Sequence, residues 1–106
     1  MSDARIEQLK AFLMEDPADN FTRFALALEY IKKGDFRKAE DLFRSILDAD
    51  PAYVGVYYHL GKLYEATGDV NQAKAIYNKG ISVARKAREL HALSELETAL
   101  SECNEM

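Results

Sequence analysis

Residues 26–43, LALEYIKKGDFRKAEDLF, and residues 60–77, LGKLYEATGDVNQAKAIY, carry one pattern twice. A shift of 34 residues superposes Leu26 on Leu60, Tyr30 on Tyr64, Gly34 on Gly68, Asp35 on Asp69, Ala39 on Ala73 and Phe43 on Tyr77; further out, Pro17 falls on Pro51. A fixed period of this kind marks supersecondary units that stack on one another. Each period reads as two helices around a Gly-Asp turn. Gly34 and Gly68 can adopt the left-handed conformation that ends a helix. Asp35 and Asp69 can then accept hydrogen bonds from the first free amides of the next helix, with Gln72 placed to complete a capping box behind Asp69.

Outward from the turns, Pro17 and Pro51 disfavour helix at the residues before them. Helices are therefore predicted near 3–15, 20–33, 36–49, 53–67 and 70–85, with no competing strand pattern. In the 36–49 helix, Phe36, Ala39, Leu42, Phe43, Ile46 and Leu47 form an apolar stripe opposite Arg37, Lys38, Glu40, Asp41 and Arg44. Val70, Ala73, Ile76, Tyr77 and Ile81 repeat that stripe, and Gly80 leaves room for a close neighbour. The opening helix keeps the same frame, since Leu9 and Leu13 lie one period before Phe43 and Leu47. The Asn20-Phe21-Thr22 triplet reads as a helix start rather than a glycosylation site.

At 106 residues the chain has the length of one small domain. A hydrophobic fraction of 48% argues against disorder, and a net charge of -4 has the wrong sign for nucleic-acid or acidic-membrane binding. Residues 1–17, with Asp3, Glu7, Glu15 and Asp16, resemble neither a signal peptide nor a membrane span. The single cysteine, Cys103, forms no internal disulfide and fits a reducing cytoplasm, which is the expected location.

No pattern of reactive residues emerges. His59 and His91 lack a neighbouring ligand at metal-binding spacing, so neither metal nor cofactor is expected. Cys103 lies beside Glu102 and Glu105, which disfavour a thiolate. Gly55 and Gly61-Lys62 have the wrong spacing for a phosphate loop and sit within a predicted helix, where glycine serves close packing. An enzyme is not expected.

The second period, with Tyr57, Leu60, Gly61, Tyr64, Gly68, Asp69, Ala73 and Tyr77, resembles the tetratricopeptide repeat, and the first follows with Leu26, Ala27, Tyr30, Gly34, Asp35, Ala39, Phe43 and Pro51. Two positions depart from the motif: Arg23 stands where an aromatic is usual, and Arg85 where the closing proline would be. The resemblance implies an all-α fold of antiparallel helix-turn-helix repeats stacked as a short right-handed superhelix. The expected organisation is one domain over 1–106, with an N-terminal half-repeat helix at 1–17, repeats at 18–51 and 52–85, and a C-terminal helix and tail at 86–106.

That tail contains Leu90, Leu93, Leu96 and Leu100 as an apolar ridge. Two arrangements would cover it. The chain can turn near 86–89 and fold the last helix back as a cap, as terminal repeats require. It can instead continue as one long helix whose leucines pair with a second chain. Folding back would also bring Lys79, Arg85, Lys86 and Arg88 towards Glu89, Glu95, Glu97, Glu102 and Glu105.

The resemblance further implies a concave groove, lined by the first helix of each repeat, that receives peptides. Its candidate lining is Phe21, Phe24, Leu28 and Ile31 from the first repeat and Tyr53, Tyr58, Lys62 and Glu65 from the second. The alternative for Phe21, Phe24 and Ile31 is packing against the opening helix and the tail. Chaperone-binding members hold a C-terminal carboxylate through several Lys, Arg and Asn side chains. Here only Lys62, Lys32 and Arg23 are available, so such a clamp is not expected. The function read from the sequence is a non-catalytic adaptor for a protein or peptide partner, with a homodimer through the groove or the C-terminal helix as the alternative.

Overall fold

The computed structural model describes residues 2–105, so Met1 and Met106 at the two ends of the expected domain lie outside the described residues. Described residues form helices α1 (Ser2–Glu15), α2 (Asn20–Lys33), α3 (Phe36–Ala49), α4 (Val54–Ala66), α5 (Val70–Ala87) and α6 (Leu90–Asn104), with no strand among them. This is an all-α helical repeat fold. The helices fall into two compact units, residues 1–49 and 50–106.

The turns form as their residue types dictate. Gly34 and Gly68 both sit at φ +85°. After each, the Asp N–H reaches back five residues: Asp35 to the Tyr30 carbonyl at 2.9 Å and Asp69 to the Tyr64 carbonyl at 2.8 Å. The aspartates then cap the next helix, with the Lys38 N–H at 3.4 Å from Asp35 Oδ1 and the Gln72 N–H at 3.2 Å from Asp69 Oδ1. The Gln72 amide donates to the Asp69 carboxylate at 3.1 Å. Asp19 caps α2 by accepting from the Phe21 N–H at 3.1 Å and the Thr22 hydroxyl at 2.8 Å, confirming a helix start at Asn20.

In the first unit α2 packs against both α1 and α3, and Ile6, Leu9, Leu26, Ala27, Tyr30, Ala39, Phe43 and Ile46 are buried. Arg23 resolves the first departure from the motif. Its guanidinium donates to the Pro17 carbonyl at 2.6 Å, and one period later the Tyr57 hydroxyl donates to the Pro51 carbonyl at 2.5 Å. Two different side chains thus tie the start of a repeat to the proline six residues upstream. Lys33 and Asp3 pair at 2.5 Å, joining the end of α2 to the start of α1. That bond holds the Asp3 carboxyl below its ordinary range and raises Lys33.

The second unit is built on two close approaches. A Cβ on Gly61 would lie 2.1 Å from Tyr77 Cε1. In the first repeat the equivalent pair is Ala27 and Phe43, so the smaller residue accompanies the larger ring. A Cβ on Gly80 would lie 2.5 Å from Tyr57 Cβ and 3.1 Å from Leu96 Cδ1, so α5 meets α4 and α6 through one glycine.

The second departure also has a structural answer. With no proline at 85, α5 runs past the expected end to Ala87, and Arg88 then turns the chain at φ 58° and ψ 34°. The Glu89 N–H bonds to the Ala84 carbonyl at 2.9 Å, the bond made after Gly34 and Gly68. Helix α6 folds back onto α5 and α4, so the tail is a cap and the two helices are not continuous. Its buried face is Leu96, Ala99 and Cys103 rather than the four leucines. At 3.6 residues per turn Leu90 lies roughly 120° around the helix from Leu96, and it is 72% exposed.

Gly80→Ala tests this packing. In an exposed helix the change would stabilise, but Tyr57 Cβ is a stem atom that cannot swing aside. A loss of about 1–3 kcal/mol is expected. Calorimetry should show a lower unfolding midpoint, and a raised one would contradict the close approach.

Candidate functional site

Helical periodicity places Tyr58, Lys62 and Glu65 on one face of α4, and His91, Ser94, Glu95, Thr98 and Glu102 on one face of α6. Because α6 folds back, the two faces meet. Tyr58 and Lys62 of α4, with those five residues and Ala99 of α6, line a cleft of about 220 Å³.

The α4 wall is held from below. Buried Tyr77 donates its hydroxyl to Glu65 Oε2, and Lys62 Nζ lies 3.7 Å from the same oxygen. Burial, then the Glu65 carboxylate, push the Tyr77 phenol far above its ordinary range, so it stays a donor. Lys62 Nζ also stands 5.7 Å from the Tyr58 ring centroid, within cation–π range. The ammonium is therefore fixed beside the aromatic face. Tyr58 meets the His59 ring edge-on, with centroids 5.4 Å apart. Burial lowers the pKa of His59, and Glu95 acts weakly against that shift. On the α6 wall, His91 Nε2 lies 3.8 Å from Glu95 Oε2. The cleft offers an aromatic face, hydroxyls and carboxylate acceptors, while its lysine already has a counter-charge.

A second cleft, of about 420 Å³, lies between α1 and α2 and includes Leu9, Phe12, Phe21, Ala25 and Arg5. Phe21 is 71% exposed and Phe12 48% exposed at its edge.

Of the eight residues singled out from sequence, Tyr58 and Lys62 line the α4–α6 cleft and Glu65 joins it through its ion pair. Tyr53 stands at the N-terminal cap of α4, half-buried, its N–H donating to the Asp50 carbonyl at 3.1 Å. Phe21 belongs to the α1–α2 cleft. Phe24 is half-buried with its ring 6.0 Å from that of Phe43, while Leu28 and Ile31 are half-buried on α2. The three cations available for a carboxylate clamp already have acceptors: Lys62 in Glu65, Lys32 in Glu29 at 3.0 Å, and Arg23 in Pro17 and Asn20.

Sequence reasoning missed the α6 wall, although 91, 94, 95, 98 and 102 follow helical spacing and were readable as a polar stripe. Of the anticipated charge pairs in the tail, Arg85 with Glu97 forms at 3.5 Å. Cys103 is fully buried. Among the described residues no group of three or more His, Cys, Asp and Glu gathers to hold a metal, and no helix is long and apolar enough to cross a membrane.

The sequence model of the tetratricopeptide repeat matches residues 30–97. A TPR repeat-containing protein of Pseudomonas aeruginosa is 28% identical over 91 residues, covering 86% of this chain and 87% of its own. The solution structure of a tetratricopeptide repeat domain protein from Salinibacter ruber is 44% identical, with a TM-score of 0.82 over 86% of this chain and 92% of its own. The crystal structure of PcrH in complex with the chaperone binding region of PopD superposes with a TM-score of 0.89 at 14% identity, over 97% of this chain and 78% of its own.

His59 gives the site a pH dependence. The folded chain binds its proton less tightly than the unfolded chain, so unfolding takes up a proton and stability falls as the pH drops below the ordinary value of 6.5. Urea unfolding midpoints should be lower at roughly pH 5.5 than at roughly pH 7.5, and His59→Gln should narrow the difference. An equal difference in the variant would contradict the assignment.

Proposed function

The chain belongs to the tetratricopeptide repeat family, generally a non-catalytic protein-interaction module, and from that premise we propose that it is an adaptor that receives a peptide segment of a partner protein in the α4–α6 cleft. The observation that carries this reading is the pairing of an aromatic wall, Tyr58 beside a fixed Lys62, with a wall of hydroxyl and carboxylate groups on α6. Such a cleft binds an apolar side chain against the ring and takes donor groups on Ser94, Glu95, Thr98 and Glu102. The PcrH complex with a segment of PopD supports the reading as a precedent on the same fold. The prior engagement of Lys62 by Glu65 favours segments anchored by internal side chains over ones anchored by a terminal carboxylate.

In this reading Tyr53 at the start of α4 adds to the contact on the second unit, and Phe21, Phe24, Leu28 and Ile31 offer apolar surface on α2 of the first unit. The reaction chemistry is nil: the module recognises and holds, without a cofactor, in the cytoplasm.

Peptides selected from a displayed library against the folded chain provide the test. Amide shift changes on titration should concentrate on residues of α4 and α6 around Tyr58, Lys62, Glu95 and Thr98. Tyr58→Ala should weaken binding by about 10-fold or more, as loss of one buried aromatic contact implies. Shifts confined to other helices, or undiminished affinity in a folded Tyr58→Ala variant, would contradict the proposal.

A further inference from the structure

Arg88 is the one non-glycine residue with positive φ among the described residues. At the two other reversals with this hydrogen-bond pattern the left-handed position is held by Gly34 and Gly68. A side chain there brings Cβ against the following carbonyl, a clash that glycine avoids. The turn between α5 and α6 is therefore strained where the others are relaxed.

The surrounding sequence offers a way out. Residues 82–93, SVARKARELHAL, contain neither glycine nor proline and are rich in Ala, Arg, Leu, Lys and Glu, all strong helix formers. With Arg88 in the right-handed region, α5 and α6 become one continuous helix at little local cost. That helix lifts the buried Leu96, Ala99 and Cys103 off their own α4 and α5. The surface they leave includes the Gly80 notch, shaped to receive Leu96. The α6 of a second copy carries the matching face, Leu96, Ala99 and Cys103.

We propose that two copies of this chain exchange α6, each laying its last helix on α4 and α5 of the other. The packing of α6 on α4 and α5 is then remade between chains, including the Arg85–Glu97 ion pair, while two strained residues relax. The opposing cost is the entropy of association, so the exchanged form gains at high protein concentration. The surface involved is the α4–α5 face and the partner is a second copy. Each copy of the α4–α6 cleft would then take Tyr58 and Lys62 from one chain and His91, Glu95 and Thr98 from the other. The proposal does not depend on what that cleft binds.

The test is refolding from denaturant at millimolar concentration, followed by size-exclusion chromatography with light scattering. Wild type should yield a dimer that returns slowly to monomer on dilution, and Arg88→Ala, which keeps a Cβ at 88, should do the same. Arg88→Gly removes the clash and also disfavours the continuous helix, so it should weaken dimerisation by roughly 10- to 100-fold. In a co-refolded mixture of isotopically light and heavy Arg85→Lys chains, carbodiimide linkage between position 85 and Glu97 should join light to heavy. Monomer alone from both wild type and Arg88→Ala, an Arg88→Gly dimer as stable as wild type, or linkage confined within single chains would each overturn the proposal.

Discussion

A left-handed residue at positions 34, 68 and 88 reverses the chain, and the packing of α2 on α3, α4 on α5 and α5 on α6 depends on that reversal. In each turn a backbone N–H reaches a carbonyl five residues earlier, satisfying a helix end that would otherwise need water. Glycine makes the first two turns without strain. The third is made by arginine, and packing holds it there: within a single chain Leu96, Ala99 and Cys103 are buried only if the chain turns. The same turn carries the polar face of α6 to Tyr58 and Lys62, so the candidate cleft exists because Arg88 accepts a poor backbone conformation.

Much of the fold was legible because local chemistry and long-range pattern agreed. Gly34-Asp35 and Gly68-Asp69 encode both the end of one helix and the cap of the next, and the structure shows both. The helices at 20–33 and 36–49 match α2 and α3 in their bounds. Agreement loosens where residue type stops being informative. The end of α5 was expected at 85, yet nothing in the Ala-Arg-Lys-Ala-Arg run stops a helix, and the stop at Ala87 is set by docking of the next element. Leu90 was grouped with the buried leucines because it is apolar, although its phase on α6 points it to solvent. Arg23 broke the motif by residue type and preserved it by hydrogen bond, an equivalence visible only once Pro17 and Pro51 are seen as acceptors.

The candidate site shows the same division. Tyr58, Lys62 and Glu65 were readable as one helical face, since spacing fixes a face without reference to tertiary structure. The polar stripe of α6 was readable in the same way, but its meeting with α4 was not, because that depends on the turn at Arg88. Tyr77 links core and site. Its ring fills the space left by Gly61, and its hydroxyl anchors the carboxylate that holds Lys62. Replacing the Ala27 and Phe43 pair of the first repeat with glycine and tyrosine thus converts a packing contact into a support for a charged surface. The resulting cleft is suited to recognition, where fixed donors and acceptors beside a ring discriminate among side chains.

The central claim is that the chain reverses at Arg88 and builds the cleft by doing so. Residue-resolved NMR of the dilute monomer reads that conformation directly. A strong intraresidue HN–Hα cross-peak at Arg88, with a hydrogen-bond coupling from the Glu89 amide to the Ala84 carbonyl, is the predicted result. A helical signature through residues 84–93, with the Glu89 amide coupled to the Arg85 carbonyl, would contradict it.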